Sequence, residues 1–229
     1  MTHPQRSRTS LLLATLFRVA AGILLFAALL FLPAGTTHYW QAWLYLVVLF
    51  TPMILALILF YLRAPALLER RMRSREPQPG QVPIVLVASA LIIAAYLVPG
   101  FDRRYGWSNV PDWLALLAAA LVVLSYAFLL YTLWTNRFAA RVVDVEEGQR
   151  AITTGPYAVV RHPMYLAITL LFLFTPLALG SYWGMLAGLL LPVVLVARID
   201  GEETLLRKEL EGYEAYCQKV RYRMLPFLW

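Results

Sequence analysis

The sequence predicts an all-α protein, a polytopic integral-membrane bundle of about six transmembrane helices closed by a C-terminal amphipathic cytoplasmic helix. Three observations predict it. Of 229 residues, 61% are hydrophobic and only 14% charged, where ordinary soluble domains carry about 25% charged residues. Apolar runs approaching the roughly 20 residues that a bilayer crossing needs follow one another along the chain. Basic residues, moreover, collect on alternate connections between those runs, as the positive-inside rule requires of a chain crossing back and forth.

The first run, about Leu11 to Pro33, is interrupted only by Arg18. Past Arg18 it is short enough to resemble the apolar core of a signal peptide. Leu11–Phe17 lengthens it and no small-residue cleavage site follows, so a retained crossing is expected. The second run, about Trp40 to Leu62, opens on Trp40, Trp43 and Tyr45, aromatic anchors suited to the membrane interface. It contains Pro52, where a kink is expected. The third spans about Val82 to Pro99. The fourth runs from Pro111 or Asp112 to Trp134, and the carboxylate of Asp112 suits the positive end of a helix dipole. Two shorter runs follow, about Pro163–Leu179 and Ser181–Ala197, and the Gly180-Ser181 pair between them predicts a tight turn and an antiparallel hairpin. Gly180, Gly184 and Gly188 recur every four residues, leaving bare patches where helices can approach closely. Pro176 and Pro192 interrupt the pair, which is tolerated in a bundle where neighbours satisfy the freed carbonyls. In the tail, Glu202–Trp229, the helical spacing of Leu205, Leu206, Leu210, Tyr213 and Tyr216 predicts an amphipathic helix. Gly212 weakens it and Arg221-Tyr222-Arg223 ends it.

Six crossings put both termini on one side, together with most of the positive charge. Arg6 and Arg8, then Arg63, Arg70, Arg71, Arg73 and Arg75, fall there. So do Arg137, Arg141, Arg150 and Arg161, and in the tail Arg198, Arg207, Lys208, Lys219, Arg221 and Arg223. Arg103 and Arg104 lie on the other side. The basic side is expected to be cytoplasmic, and the membrane the inner one if the source is bacterial. The net charge of +7 then reflects topology and affinity for anionic lipid rather than a nucleic-acid partner. The Arg70–Arg75 cluster reads the same way.

Several chemistries are excluded. A single cysteine, Cys217, rules out an intrachain disulfide framework and a multi-cysteine metal site. The histidines, His3, His38 and His162, are too scattered for a metal motif, and His38 is expected at the outer interface. Cys217 has no evident activating partner. No charge sits at the centre of a proposed crossing, where a transport pathway often needs one. The chemistry-bearing residues gather instead after Thr135. Residues 1–135 are therefore read as a scaffold of four crossings, and 136–229 as the region that carries the chemistry.

Two stretches of that region stand out. In Gly155-Pro156-Tyr157-Ala158-Val159-Val160-Arg161-His162-Pro163-Met164-Tyr165, two phenols, an Arg and a His precede an apolar helix. Pro163 keeps His162 out of the helical region and suits the first helical turn itself. The stretch reads as a strap leading into a helix N-terminus, whose free N–H groups suit an anion. The alternative is a basic loop snorkelling at the membrane surface. At the end of the last crossing, Arg198 is followed by Asp200, Glu202 and Glu203, with Arg198 and Glu202 spaced to share a helix face.

Taken jointly, Arg161-His162-Pro163 with Tyr165, then an apolar hairpin, then Glu202-Glu203 with Leu206, then Gly212-Tyr213 and Tyr216, resemble the isoprenylcysteine carboxyl methyltransferase family. The related membrane phospholipid methyltransferases share the core of the pattern, and Gly155-Pro156-Tyr157 fits bacterial members. The resemblance covers about Asn136 to Pro226. The family often has Gly where Ala167 stands, and many members have Val-Pro where Val220 is followed by Arg221; these departures bear on the choice of substrate.

The resemblance implies an S-adenosylmethionine-dependent methyltransferase acting on a lipophilic or lipidated acceptor within membrane lipid. The absence of a G-x-G-x-x-G-like cluster argues independently against a Rossmann-type cofactor site. Tyr157, Arg161, His162, Tyr165, Glu202 and Glu203 are the expected cofactor-binding residues, with tyrosines and Trp134 suited to the adenine or the sulfonium. Arg198 and Glu202 are the expected catalytic residues. An acceptor carboxylate, such as that of an isoprenylcysteine, needs no base, and the planar fork of Arg198 suits it. A phospholipid amine must lose a proton, for which Glu202 is the candidate base. A small thiol is a further acceptor. Two other classes stand beside this reading. One is an NADPH-dependent membrane reductase, because some sterol reductases share a similar C-terminal half. The other is a non-catalytic membrane protein.

Overall fold

The computed structural model describes residues 8–64, 68, 78–136 and 151–229. Seven helices make up the described fold: α1 (Arg8–Ala34), α2 (Trp40–Arg63), α3 (Val82–Tyr105), α4 (Asp112–Thr135), α5 (Pro163–Ala178), α6 (Met185–Glu209) and α7 (Tyr213–Lys219). Short 3₁₀ turns at Pro79–Gln81 and Gly155–Ala158 lead into α3 and the strap. There is no strand among the described residues. Arg6, Arg70, Arg71, Arg73, Arg75, Arg137, Arg141 and Arg150, which shaped the topology expectation, lie outside the described residues.

Among the described residues, four stretches are long and apolar enough to cross a membrane: Leu12–Ala34, Trp40–Arg63, Pro79–Tyr105 and Asp112–Thr135. Their outward surface is apolar, with Phe17, Leu24, Leu32 and Leu62 each more than two-thirds exposed. Such a surface is stable in lipid and not in water. The hairpin helices differ. The 16 residues of α5 span about 24 Å, less than the ~30 Å hydrocarbon core. Helix α6 is longer, but it turns charged from Arg198 onward. Four crossings thus stand by length and composition, and the expected six are not reached by the same measure.

The helices close in a ring in which α1 packs on α2 and α3, α3 on α6, α6 on α5, α5 on α4, and α4 on α2. Inside it lies a core that includes Leu30, Ala42, Leu49, Ala118, Val122 and Leu171. At its centre the Tyr45 hydroxyl lies 2.7 Å from Thr175 Oγ1 and 3.1 Å from the Tyr96 hydroxyl. This ties α2, α3 and α5 through groups that lipid could not have satisfied. At the far end of the bundle, away from the strap, the buried carboxylate of Asp102 accepts from the Ser108 amide and hydroxyl and from the Ser181 hydroxyl. Asp102 thereby pins the α3–α4 and α5–α6 connections together. His38 lies exposed at this end, and its carbonyl accepts from Arg103.

The hairpin forms as its glycines predict. Gly180 turns at φ +75°, a left-handed conformation that glycine adopts without strain. A Cβ on Gly184 would lie 2.8 Å from the Pro176 side chain, and one on Gly188 2.5 Å from the Phe172 carbonyl oxygen. The tail differs from expectation. In place of one weakened amphipathic helix from Glu202 to the Arg221-Tyr222-Arg223 end, α6 continues to Glu209. Gly212 then breaks the helix at φ +79°, and only α7 follows. Beyond Lys219 the chain leaves helical geometry because its backbone finds other partners: the Tyr222 and Arg223 carbonyls accept from the amides of Arg161 and His162.

Gly188→Ala should pry α5 from α6 and destabilise the bundle by about 1–3 kcal/mol through overpacking. A lowered midpoint in detergent thermal unfolding checks this, with Leu189→Ala, at a half-exposed position, expected near wild type.

Candidate active site

The strap is held in place before its side chains are considered. Gly155 sits at φ +58°, and a Cβ there would press within 3.1 Å of the Tyr131 hydroxyl and 3.2 Å of Thr135. Tyr157 accepts from Asn136 Nδ2 at 3.2 Å, while its carbonyl accepts from the Tyr216 hydroxyl at 2.7 Å. At the other end, the Arg161 and His162 amides donate to the Tyr222 and Arg223 carbonyls at 2.9 and 2.7 Å. His162 lies at φ −122° and ψ 59°, outside the helical region, as a residue before proline must. The strap is therefore pinned between the end of α4 and the folded tail. It is not a loose surface loop.

Into this frame α6 brings Glu203, 3% exposed. Its Oε1 lies 2.8 Å from Arg161 Nε and 3.2 Å from His162 Nε2, and its Oε2 lies 3.4 Å from Arg223 Nε. Arg161 Nη2 adds a hydrogen bond to Oε2 at 3.4 Å. The Arg161 Nε–H does not point along its short contact, so that contact is an ion pair rather than a hydrogen bond. Burial by itself would push the Glu203 carboxyl up. The hydrogen bond with His162 and the charges of His162, Arg161 and Arg223 outweigh burial and hold it below the ordinary carboxylate value. Arg223 also reaches Asp200 at 2.6 Å and lies 5.1 Å over the Trp229 ring.

A second cluster lies beside the first. The Arg198 side chain is buried, and its Nε donates to the Tyr165 hydroxyl at 3.3 Å. That hydroxyl in turn donates to Glu202 Oε2 at 2.6 Å. Arg198 Nη1 donates to Gln81 Oε1 at 3.1 Å. The cluster borders an apolar wall that contains Leu191, Leu195, Ile199 and Met224. A cation and a carboxylate are thus joined through a phenol at the edge of lipid-like surroundings. That arrangement can orient the ionic end of an amphiphile while its tail stays in apolar contact.

All the residues singled out by sequence lie at this one end of the bundle. Arg161, His162 and Glu203 form one group; Arg198, Tyr165 and Glu202 form another. Tyr157 stands apart, tied to Asn136 and Tyr216. Trp134 is stacked on Phe60, with ring centroids 6.3 Å apart, on the α2 side. The reading from residues alone missed Gln81, a lone polar residue at the head of an apolar run whose only signal was Pro79-Gly80 before it. It assigned Arg223 to topology and did not foresee its place beside Glu203. Tyr213 is 4% exposed, and its hydroxyl has no hydrogen-bond partner among the described residues. Burial, then the nearby charge of Glu203, raises this phenol, and burial raises that of Tyr216. Both are neutral at physiological pH. Burial likewise raises the Cys217 thiol, so it is not an activated nucleophile. No group of metal-ligating side chains is present among the described residues.

The lowered carboxyl of Glu203 makes stability pH-dependent. A depressed folded-state value gives a contribution that is complete above the ordinary carboxylate value of 4.5 and disappears as pH falls through the folded one. The thermal midpoint of the wild type in detergent should therefore decline as pH drops below about 4.5, and Glu203→Gln should flatten that decline. Glu203→Ala, which leaves the cations uncompensated, should cost about 3–5 kcal/mol in the same measurement at neutral pH.

Residues 113–211 match the model of the phospholipid methyltransferase family. No curated protein matches the chain. The family match takes in α4, the strap, the hairpin and both carboxylates of α6, and it ends just before Gly212. Through this region, which holds both polar clusters apart from Gln81 and the tail, the chain is similar to the phospholipid methyltransferase family.

Proposed function

We propose that the protein transfers a methyl group from S-adenosylmethionine to a lipophilic acceptor drawn from the bilayer, with a carboxylate of the isoprenylcysteine type as the leading acceptor. The observation that carries this is the buried Arg198 guanidinium, oriented by Tyr165 beside Glu202 and against apolar residues of α6. An acceptor carboxylate is already ionised, so Arg198 needs only to hold it, and the low-polarity surroundings strengthen that attraction.

The chemistry of the neighbouring group fits such a donor. Tyr213 presents a buried hydroxyl, without a hydrogen-bond partner among the described residues, near Glu203, Glu202 and Arg161, a contact that a polar ligand would complete. Tyr157, Arg161, His162, Tyr165, Glu202 and Glu203 are the residues that would hold the donor, with Tyr213 added. When bound, the donor supplies a methyl already activated on a sulfonium. The residues then have two tasks: to align the acceptor with that methyl, and to exclude water from the gap. Arg198 aligns; the wall of Leu191, Leu195 and Ile199 excludes water.

The matched family's name points to a phospholipid as a second acceptor class. An amine headgroup has to give up a proton, and Glu202, hydrogen-bonded to Tyr165, is the group placed to take it. The basic flank of the strap end supports a cytoplasmic orientation of both termini and of the site. In this reading residues 136–229 carry the chemistry and residues 1–135 serve mainly as scaffold.

Purified full-length protein should bind S-adenosylmethionine in calorimetry. With labelled donor it should methylate N-acetyl-S-farnesylcysteine or phosphatidylethanolamine, the preferred probe identifying the acceptor class. Arg198→Ala and Glu202→Ala should abolish transfer, and His162→Ala should weaken donor binding, each with membrane insertion intact. Absence of donor binding by well-folded wild type would sink the proposal.

A further inference from the structure

We propose that Gln81, in the turn that precedes α3, is a positioning residue that fixes the plane of the Arg198 guanidinium; this rests on the reading of Arg198 as the group that holds the acceptor. Arg198 lies where α6 turns from apolar to charged, and its long side chain has many rotamers of similar energy. Two hydrogen bonds at different corners of the guanidinium select one of them. Nε is held by the Tyr165 hydroxyl of α5 at 3.3 Å and Nη1 by the Gln81 amide oxygen at 3.1 Å. Contacts at two corners restrict a planar group more than a contact at one, and here they come from α5 and from the turn before α3.

The placement of Gln81 is itself constrained. Its side chain is 6% exposed. Its backbone belongs to the Pro79–Gln81 turn, in which the Gln81 amide donates to the Gln78 carbonyl at 3.0 Å and the Val82 amide to that of Pro79. Pro79 presets the first residue of that turn.

A second observation points the same way from α6. Gly201 lies inside that helix, one turn beyond Arg198, in a position where glycine weakens helical structure. A Cβ at Gly201 would fall 1.6 Å from Gln81 Nε2 and 2.9 Å from its Cδ. The amide of Gln81 thus lies across the bare backbone of α6, and glycine is required for it to reach Arg198. The choice of a neutral amide is equally consistent. Its oxygen accepts from the guanidinium without itself bringing a negative charge to it. A glutamate at the same place would compete with that carboxylate. Helix α3, from the half of the chain without recognisable motifs, then forms a third wall of the site alongside α5 and α6.

The test uses full-length protein in lipid nanodiscs and two independent readouts. The first is the Nε–Hε resonance of Arg198 in nuclear magnetic resonance, assigned by its loss in Arg198→Lys. The second is steady-state methyl transfer to N-acetyl-S-farnesylcysteine, with donor affinity from calorimetry. In the wild type the resonance should report a restrained side chain. Gln81→Ala should make it mobile and lower kcat/KM for the acceptor about tenfold, equivalent to about 1.4 kcal/mol, with donor affinity unchanged. Gly201→Ala, which evicts the amide without altering it, should behave the same way. Gln81→Glu should keep the resonance restrained yet raise KM for the acceptor, a split that a merely structural residue would not produce. An Arg198 resonance unaffected by Gln81→Ala, or an equal loss of donor affinity in all three variants, would overturn the proposal. Release of Arg198 by Gln81→Ala in a protein that methylates neither this probe nor phosphatidylethanolamine would uphold the positioning role and overturn the acceptor reading instead.

Discussion

The buried carboxylate of Glu203 is the interaction on which the strap end of the molecule depends. A carboxylate 3% exposed is tolerable only when paired and hydrogen-bonded. Its partners come from separate parts of the chain: Arg161 and His162 from the strap, Arg223 from the tail beyond α7. Because each partner is needed to offset the desolvation of the same group, the strap, the hairpin and the tail are ordered together. The backbone pairing of Arg161 and His162 with Tyr222 and Arg223 closes the same loop in a different currency. Arg207 adds a peripheral contact at 4.0 Å and is largely exposed, with Glu214 as its nearer partner, so it matters less.

With that clamp in place, the neighbouring Arg198–Tyr165–Glu202 cluster acquires its geometry. Arg198 is four residues before Glu202 on α6, and Tyr165 from α5 inserts its hydroxyl between them, accepting from one and donating to the other. The hydroxyl can do both at once because a phenol is donor and acceptor together. The close hairpin makes this reach feasible. Gly184 and Gly188 let α6 approach α5 nearer than any side chain would allow, and Asp102 holds the turn at the opposite end. Polar contacts thus recur along the bundle: a lock among Asp102, Ser108 and Ser181 at one end, a charged clamp at the other, and hydroxyls bridging Tyr45, Tyr96 and Thr175 in between.

Much of this was legible before folding was considered. The four long apolar stretches, the hairpin and its glycine stripe follow from composition and periodicity, since a bilayer leaves helices few alternatives, although the third helix runs past the expected end at Pro99 to Tyr105. The strap was legible as well, because the residue before Pro163 cannot be helical and because Arg161, His162 and Tyr165 are costly to place beside lipid unless they have partners. The tail is divided more sharply than its spacing suggests. Helical spacing continues through Tyr216, but Gly212 offered a break, and the chain past Lys219 gains more from pairing with the strap than from remaining helical. Nothing local to residues 220–229 signals that partner.

Sequence alone, then, determined the class of the protein and pointed to a set of chemistry-bearing residues, because hydrophobicity, proline geometry and motif spacing are local properties. Tertiary structure decided how that set divides. It gave Glu203 to Arg161, His162 and Arg223, and Glu202 to Tyr165, although the two carboxylates are adjacent in sequence and chemically equivalent. It also brought Gln81 across more than a hundred residues to Arg198. The reason is directional: consecutive side chains on a helix point about 100° apart, so neighbours in sequence face different partners, and which partners those are depends on how the other helices pack.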